Sequence, residues 1–201
     1  MRLASIPTVV NLVLPDVLQR YAQKYPQVGV QIFDGNHDFV LGQVRAGLAE
    51  FGISLDPGED EDLAFEPLRA DRYVLAVHRT HPWAEHAELA LRDLADVKLI
   101  IGGRDSGNRL LLEMLLGHES ISLRWFYEVE HISCVVALVD AGLGCAIVPL
   151  LTVLAHFAPN IRAVPIASPA VQRTIGIVKH RHVSMSSIAA DLCELLRASF
   201  G

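Results

Sequence analysis

The chain has 201 residues and a formal net charge of −6; 51% of its residues are hydrophobic and 20% charged, an ordinary globular composition with enough apolar residues for a core. No uninterrupted apolar run approaches the roughly 18 residues of a membrane span, and no cluster of Lys and Arg offers the basic surface that nucleic acid requires. Three widely spaced cysteines (Cys134, Cys145 and Cys193) fit neither a disulfide framework nor a zinc site, and they point to a reducing cytoplasm.

Residues 2–5 predict a first strand, and Pro7 opens a helix with Ser5 or Thr8 as its cap. Pro7, Asn11, Pro15 and Asp16 interrupt the first apolar stretch, so no secretory leader is expected there. Val10, Val13, Leu14, Val17, Leu18, Tyr21 and Tyr25 recur at helical spacing, with a kink or restart predicted at Pro15 and a stop at Pro26. Residues 28–33 read as a strand, and Asp34-Gly35-Asn36 turns into a helix that ends at Ala46-Gly47. A strand at 51–55 precedes an acidic, solvated loop at 56–62. Residues 63–68 and 73–77 are expected as two strands separated by Arg69-Ala70-Asp71-Arg72. A helical turn at 91–94, a buried strand at 98–101, a glycine loop at 102–107, a helix at 110–116 and a strand at 123–129 follow.

Residues 135–149, VVALVDAGLGCAIVP, organise the rest. Val135, Val136, Leu138, Val139 and Leu143 suit one buried helix face, and Gly142 supplies a positive-φ stop. The apolar run 145–148 then reads as a strand buried on both faces and parallel to its neighbours, ended by Pro149. The same unit occurs at residues 40–53, VLGQVRAGLAEFGI, where Val40, Val44, Ala46, Gly47 and Leu48 match Val135, Val139, Ala141, Gly142 and Leu143. Two like α/β halves would hold a ligand between them; five identities alone leave a chance match open. Residues 150–156 predict a helix, and 161–166 and 173–179 strands. Ser184 is the expected cap of a closing helix with a stripe of Met185, Ile188, Ala189, Leu192, Leu195 and Leu196. Alternating strands and helices indicate largely parallel sheets, with the halves joined by paired strands near 73–78 and 167–174.

In this order, SIPT (5–8), LPDVLQRYAQKYP (14–26), VRAGLAEFGIS (44–54), HPWA (81–84), LRDLAD (91–96) and AGLGCAIVP (141–149) resemble the effector-binding region of LysR-type transcriptional regulators. The run 173–196 is similar to that family's closing strand and helix. Glu50, where the family usually has aspartate, and Cys145, in place of an aliphatic residue, are departures that leave the fold intact. The resemblance implies an α/β fold of two Rossmann-like subdomains joined by a two-strand hinge, like a type II periplasmic binding protein. Regulatory subdomain I would be residues 1–74 plus 175–201, and subdomain II residues 75–174. It also implies a small-molecule effector in the inter-lobe cleft, and a cytoplasmic homo-oligomer. In that oligomer, residues 9–25 of one chain lie antiparallel to residues 132–141 of another, as a dimer of effector domains within an intact tetramer. DNA would be bound only through an N-terminal winged helix-turn-helix that precedes residue 1, so the chain is expected to be part of a longer regulator.

Open α/β sheets bind ligands beyond the carboxyl ends of their strands, which selects three loops. Ser5, Ile6, Pro7 and Thr8 offer backbone amides and two hydroxyls to an anionic or polar group, against plain helix capping. In Gly102, Gly103, Arg104, Asp105, Ser106 and Gly107 the glycines allow close approach and Arg104 could grip a carboxylate, against an exposed Arg104–Asp105 pair. Near Glu130, His131 and Ile132 could line the cleft and Ser133 cap a helix, against a surface histidine; Pro149 is a cleft wall or a strand terminator. His78 with His81, and His180 with His182, lack the further ligands of a metal site. Cys134 near a helix start could be a redox sensor or simply buried, and Trp83, Trp125 and Phe126 could stack on an aromatic ligand or pack in the core. No nucleophile triad, metal set or nucleotide loop is present, so neither enzyme activity nor a cofactor is expected. A transporter's solute-binding protein and a two-lobed metabolic enzyme are the alternatives.

Overall fold

The computed structural model describes residues 1–103, 107–118, 123–155, 158–168 and 171–200. The chain packs as two compact units, one of Met1–Ala70 with Thr174–Gly201 and the other Asp71–Arg173. These divisions fall at 70/71 and 173/174 rather than at 74/75 and 174/175, because the side chains of Asp71 and Tyr73 are buried within the second unit.

In the first unit, β1 (Arg2–Ser5) leads through α1 (Pro7–Leu12) and α2 (Leu14–Lys24) to β2 (Gln31–Asp34), then through α3 (His37–Arg45) to β3 (Phe51–Leu55). The restart predicted at Pro15 is the break at Val13, with Pro15 in the first turn of α2. The expected cap by Ser5 or Thr8 is not formed: Ile6 is the N-cap of α1 without a side-chain bond, and Ser5 Oγ instead donates to the Ile6 carbonyl at 3.2 Å. β1 lies between β2 and β3, parallel to both. β3 then pairs antiparallel with β10 (Gln172–His180), and the sheet continues to β4 (Leu63–His78). The closing helix α7 (Ser187–Phe200) buries Ala189, Leu192, Cys193, Leu196 and Phe200. Its cap is Ser186 rather than Ser184: the Ser186 hydroxyl accepts the Ala189 N–H and itself donates to Glu50 Oε2 at 2.6 Å.

The second unit repeats this plan. After β5 (Leu89–Ala90) and a 3₁₀ turn at Leu91–Leu94, the order is β6 (Leu99–Gly102), α4 (Gly107–His118), β7 (Trp125–Val129), α5 (Ile132–Asp140) and β8 (Ala146–Pro149). β6 pairs in parallel with β7 and, through a bridge between Leu99 and Cys145, with the segment entering β8. In both units, therefore, one strand (β1, β6) has a parallel neighbour on each side. α6 (Leu150–Ala155) and β9 (Ile161–Ser168) complete it.

Three expectations are corrected. The two strands around residues 69–72 are one 16-residue strand, β4, because Arg69 and Arg72 face solvent while Asp71 is neutralised inside by Arg173. The sheets are mixed rather than largely parallel: β8 and β9 run antiparallel to β4 on its two sides. Leu143 is 44% exposed instead of completing the buried face of α5, as is its counterpart Leu48. The glycine stops themselves are the same structure twice. Gly47 (φ 66°) and Gly142 (φ 73°) donate to Val44 and Val139, while Leu48 and Leu143 donate to Gln43 and Leu138 at 3.0 and 3.1 Å.

Candidate functional site

A doubly wound sheet opens a crevice where successive connections leave in opposite directions, at the carboxyl end of the strand between them. In the first unit that strand is β1, and its carboxyl end carries Ser5, Ile6, Pro7 and Thr8. Ser5, Ile6 and Thr8 are buried and Pro7 half-buried. The sheet brings two further polar residues to this edge that sequence reasoning did not select. Ser54, fully buried at the end of β3, lies 2.9 Å from Nδ1 of His37, in the first turn of α3. α3 itself is capped by the Asn36 side chain, which accepts the Phe39 N–H. A lone serine after the apolar run FGI, and a histidine directly after a turn, were the available signals. Burial pushes the His37 imidazole below its usual range, offset in part by Asp38 and Asp56.

In the second unit the corresponding strand is β6. Gly102 stands opposite Val129 of β7, and Gly103 packs against Glu130 so closely that a Cβ there would collide with the Glu130 carboxylate. A side chain at position 103 would have to displace the Glu130 carboxylate from where it now rests. Gly102 and Gly103 are in this way brought together with Glu130 and the start of α5. His131 is the N-cap of α5 without a side-chain bond and is exposed; Ile132 is partly buried against the core; Ser133 is exposed within the first turn, so it is not the expected cap. Arg104, Asp105 and Ser106 lie outside the described residues, while Gly107 opens α4. Pro149 is buried at the end of β8, opposite Tyr73.

The second unit also holds a buried polar network. Arg173 Nε and Nη2 donate to Asp71 Oδ2 at 3.0 and 2.9 Å, and Asp71 Oδ1 accepts the Leu151 N–H at 3.1 Å. Arg173 Nη1 and the Tyr73 hydroxyl both donate to Asn108 Oδ1, at 2.8 and 2.9 Å. Burial pushes the Tyr73 phenol up to about 12, so it is a hydrogen-bond donor across the physiological range. The next residue on α4, Arg109, donates instead to Glu128 on β7 at 2.6 Å and to the Gly102 carbonyl at 3.4 Å.

The remaining candidates fall elsewhere. Trp83 and Trp125 pack against the second unit's core, whereas Phe126 is exposed under the Lys98 ammonium. Cys134 is exposed; Cys145 and Cys193 are buried, which raises their thiols to about 11 and about 12. Among the described residues, no group of three or more His, Cys, Asp or Glu could hold a metal ion, and no helix is long and apolar enough to cross a membrane.

Two like α/β units, connected through β4 and β10 and each with its own switch-point loop, define the type II periplasmic-binding-protein-like class. Within that class the chain belongs to the LysR substrate binding domain family, whose model matches residues 1–201. It is 33% identical over 194 residues to the HTH-type transcriptional regulator YbhD of Escherichia coli K12, covering 96% of this chain and 61% of the relative. To the HTH-type regulator YfeR of Shigella flexneri it is 27% identical over 197 residues, covering 98% and 63%. The chain thus spans less than two thirds of the length of these relatives. Among solved structures, the regulatory domain of Synechocystis PCC6803 CcmR in complex with 2-PG superposes with a TM-score of 0.88 at 23% identity, covering 98% of this chain and 95% of that one. The effector binding domain of QuiR in complex with shikimate gives 0.84 at 23% identity, covering 99% and 96%.

Proposed function

We propose that the chain is the effector-sensing domain of a LysR-type transcriptional regulator. It takes a small, anionic metabolite into a cleft between its two units and so alters DNA binding and transcription by the intact oligomer. The observation that carries this reading is the doubled topology, with the carboxyl ends of β1 and β6 leading into residues 5–8 and Gly102-Gly103. Ser5, Ile6, Pro7 and Thr8 would hold one side of the ligand, with His37 and Ser54 beside them. Gly102, Gly103, His131, Ile132, Ser133 and Pro149 would hold the other, with Arg104 and Ser106 added on sequence grounds. The Glu130 carboxylate against Gly103 disfavours an anion at that point, so the anionic group belongs with the Ser5 and Thr8 hydroxyls or with Arg104. The shikimate and 2-PG named with the two neighbouring structures support a ligand of this kind.

Ligand preference for one arrangement of the units would shift the spacing of the DNA-binding domains in the oligomer. The proposed dimer sets α1 and α2 of one chain antiparallel to α5 of another, assembling to a tetramer in the intact, cytoplasmic regulator. DNA is contacted only through an N-terminal domain, and no catalysis is assigned to this part. A thermal-shift screen of small carboxylates tests the reading. A true effector at 100 times its dissociation constant adds about 2.7 kcal/mol to stability. No shift from any acid in a broad set of small carboxylates would count against it.

A further inference from the structure

We propose that Asn108 is a positioning residue, tying the first turn of α4 to the two strands by which the chain enters and leaves the second unit. Its meaning as a route out of the site rests on the reading of that edge of the unit as a ligand-binding loop. Asp71 and Arg173 are the first and last residues of the unit, and both are buried, at 2% and 6% exposure. Their ion pair therefore clamps β4 to β10 at the point of crossing. A buried guanidinium has five N–H donors and no acceptor, and one carboxylate cannot satisfy all of them. Arg173 directs Nε and Nη2 to Asp71 and turns Nη1 to Asn108. The same Asn108 oxygen takes the Tyr73 hydroxyl, so one amide on α4 is bound from both strands at once.

Asn108 and Arg109 bind different pairs of strands, which makes this turn a junction. Arg109 holds it to Gly102 and Glu128 on β6 and β7, at the proposed site; Asn108 holds it to β4 and β10. A displacement of the turn must then be followed by Tyr73 and Arg173, or leave a buried charge short of an acceptor. The turn and the crossing strands are built to move together.

Hydrogen exchange on the 201-residue chain, read by mass spectrometry without ligand, tests this apart from effector binding. Asn108→Ala should speed exchange about tenfold or more in peptides covering residues 107–112, and likewise in those covering 69–75 and 171–176. Peptides of β1 to β3 should not change. Asn108→Asp keeps an oxygen for Arg173 and should restore wild-type protection in both strands, and it serves alone should the alanine variant not fold. Glu113→Gln, which touches only the Arg109 side, should leave both strands as they are. Faster exchange confined to α4, or an aspartate variant whose strands exchange faster than the wild type's, would overturn the proposal.

Discussion

Asp71 and Arg173 illustrate how a charge becomes tolerable inside a fold: each is buried, and each hydrogen-bonds more than its partner, Asp71 to the Leu151 amide and Arg173 to Asn108. Removing one partner leaves the other charged and buried, so Asp71→Asn or Arg173→Met should cost about 3–5 kcal/mol in urea denaturation. Replacing both with apolar residues should cost less than either change alone. His37 carries a second prediction. Its folded pKa lies below the unfolded value of about 6.5, because burial favours the neutral ring. In the window below 6.5 the unfolded chain binds more protons, so stability is complete above that pH and falls as acid is added. His81 contributes with the same sign, through burial and the neighbouring His86. Urea midpoints measured from pH 7 to 5 should fall, and His37→Asn should flatten the slope; an unchanged slope would place the effect elsewhere. In the sequence, Asp71 reads only as part of a break between two strands, Arg173 as the start of a strand and His81 as half of an incomplete metal pair. An ion pair between positions 71 and 173 has no local signature, and His37 and Ser54 become neighbours only through the packing of α3 on β3.

At the scale of elements, the two glycine stops show what local chemistry fixes. A helix that must return directly into a strand of the same sheet needs one residue at positive φ, and Gly47 and Gly142 provide it with matching hydrogen bonds. Gly47→Ala and Gly142→Ala should each cost about 1–2 kcal/mol by thermal or urea unfolding, since a Cβ in the left-handed region is strained whatever the space around it. Such features were legible: the AGL repeat, the restart near Pro15, the strand at Phe51–Leu55 and the turn at Leu91–Leu94 all follow from periodicity and punctuation. Strand direction was not. The apolar run ending at Val148 reads the same whether its partners are parallel or antiparallel, and only the return of β4 beside it decides. Caps were also missed at Ser184 and Ser133, because serines stand near the true helix starts and sequence alone does not choose among them.

For the whole molecule, the first unit's plan, β1 flanked by β2 and β3, recurs as β6 paired with β7 and bridged on its other side to Cys145, the residue that enters β8. The repeat extends well beyond the five matched residues that announced it. In each copy a loop follows the carboxyl end of the central strand, which is why residues 5–8 and 102–107 could be selected from sequence by a single rule. What the rule could not supply was the chemistry around them, the Glu130 carboxylate over Gly103 above all. The central claim is that both loops serve one ligand. Calorimetric titration of the first compound to raise the unfolding midpoint, into the wild type, Thr8→Val and His131→Ala, tests it most directly. One molecule bound per chain, with affinity weakened in both variants, is the predicted result. Full affinity in either variant, or two molecules per chain each sensitive to only one substitution, would contradict it.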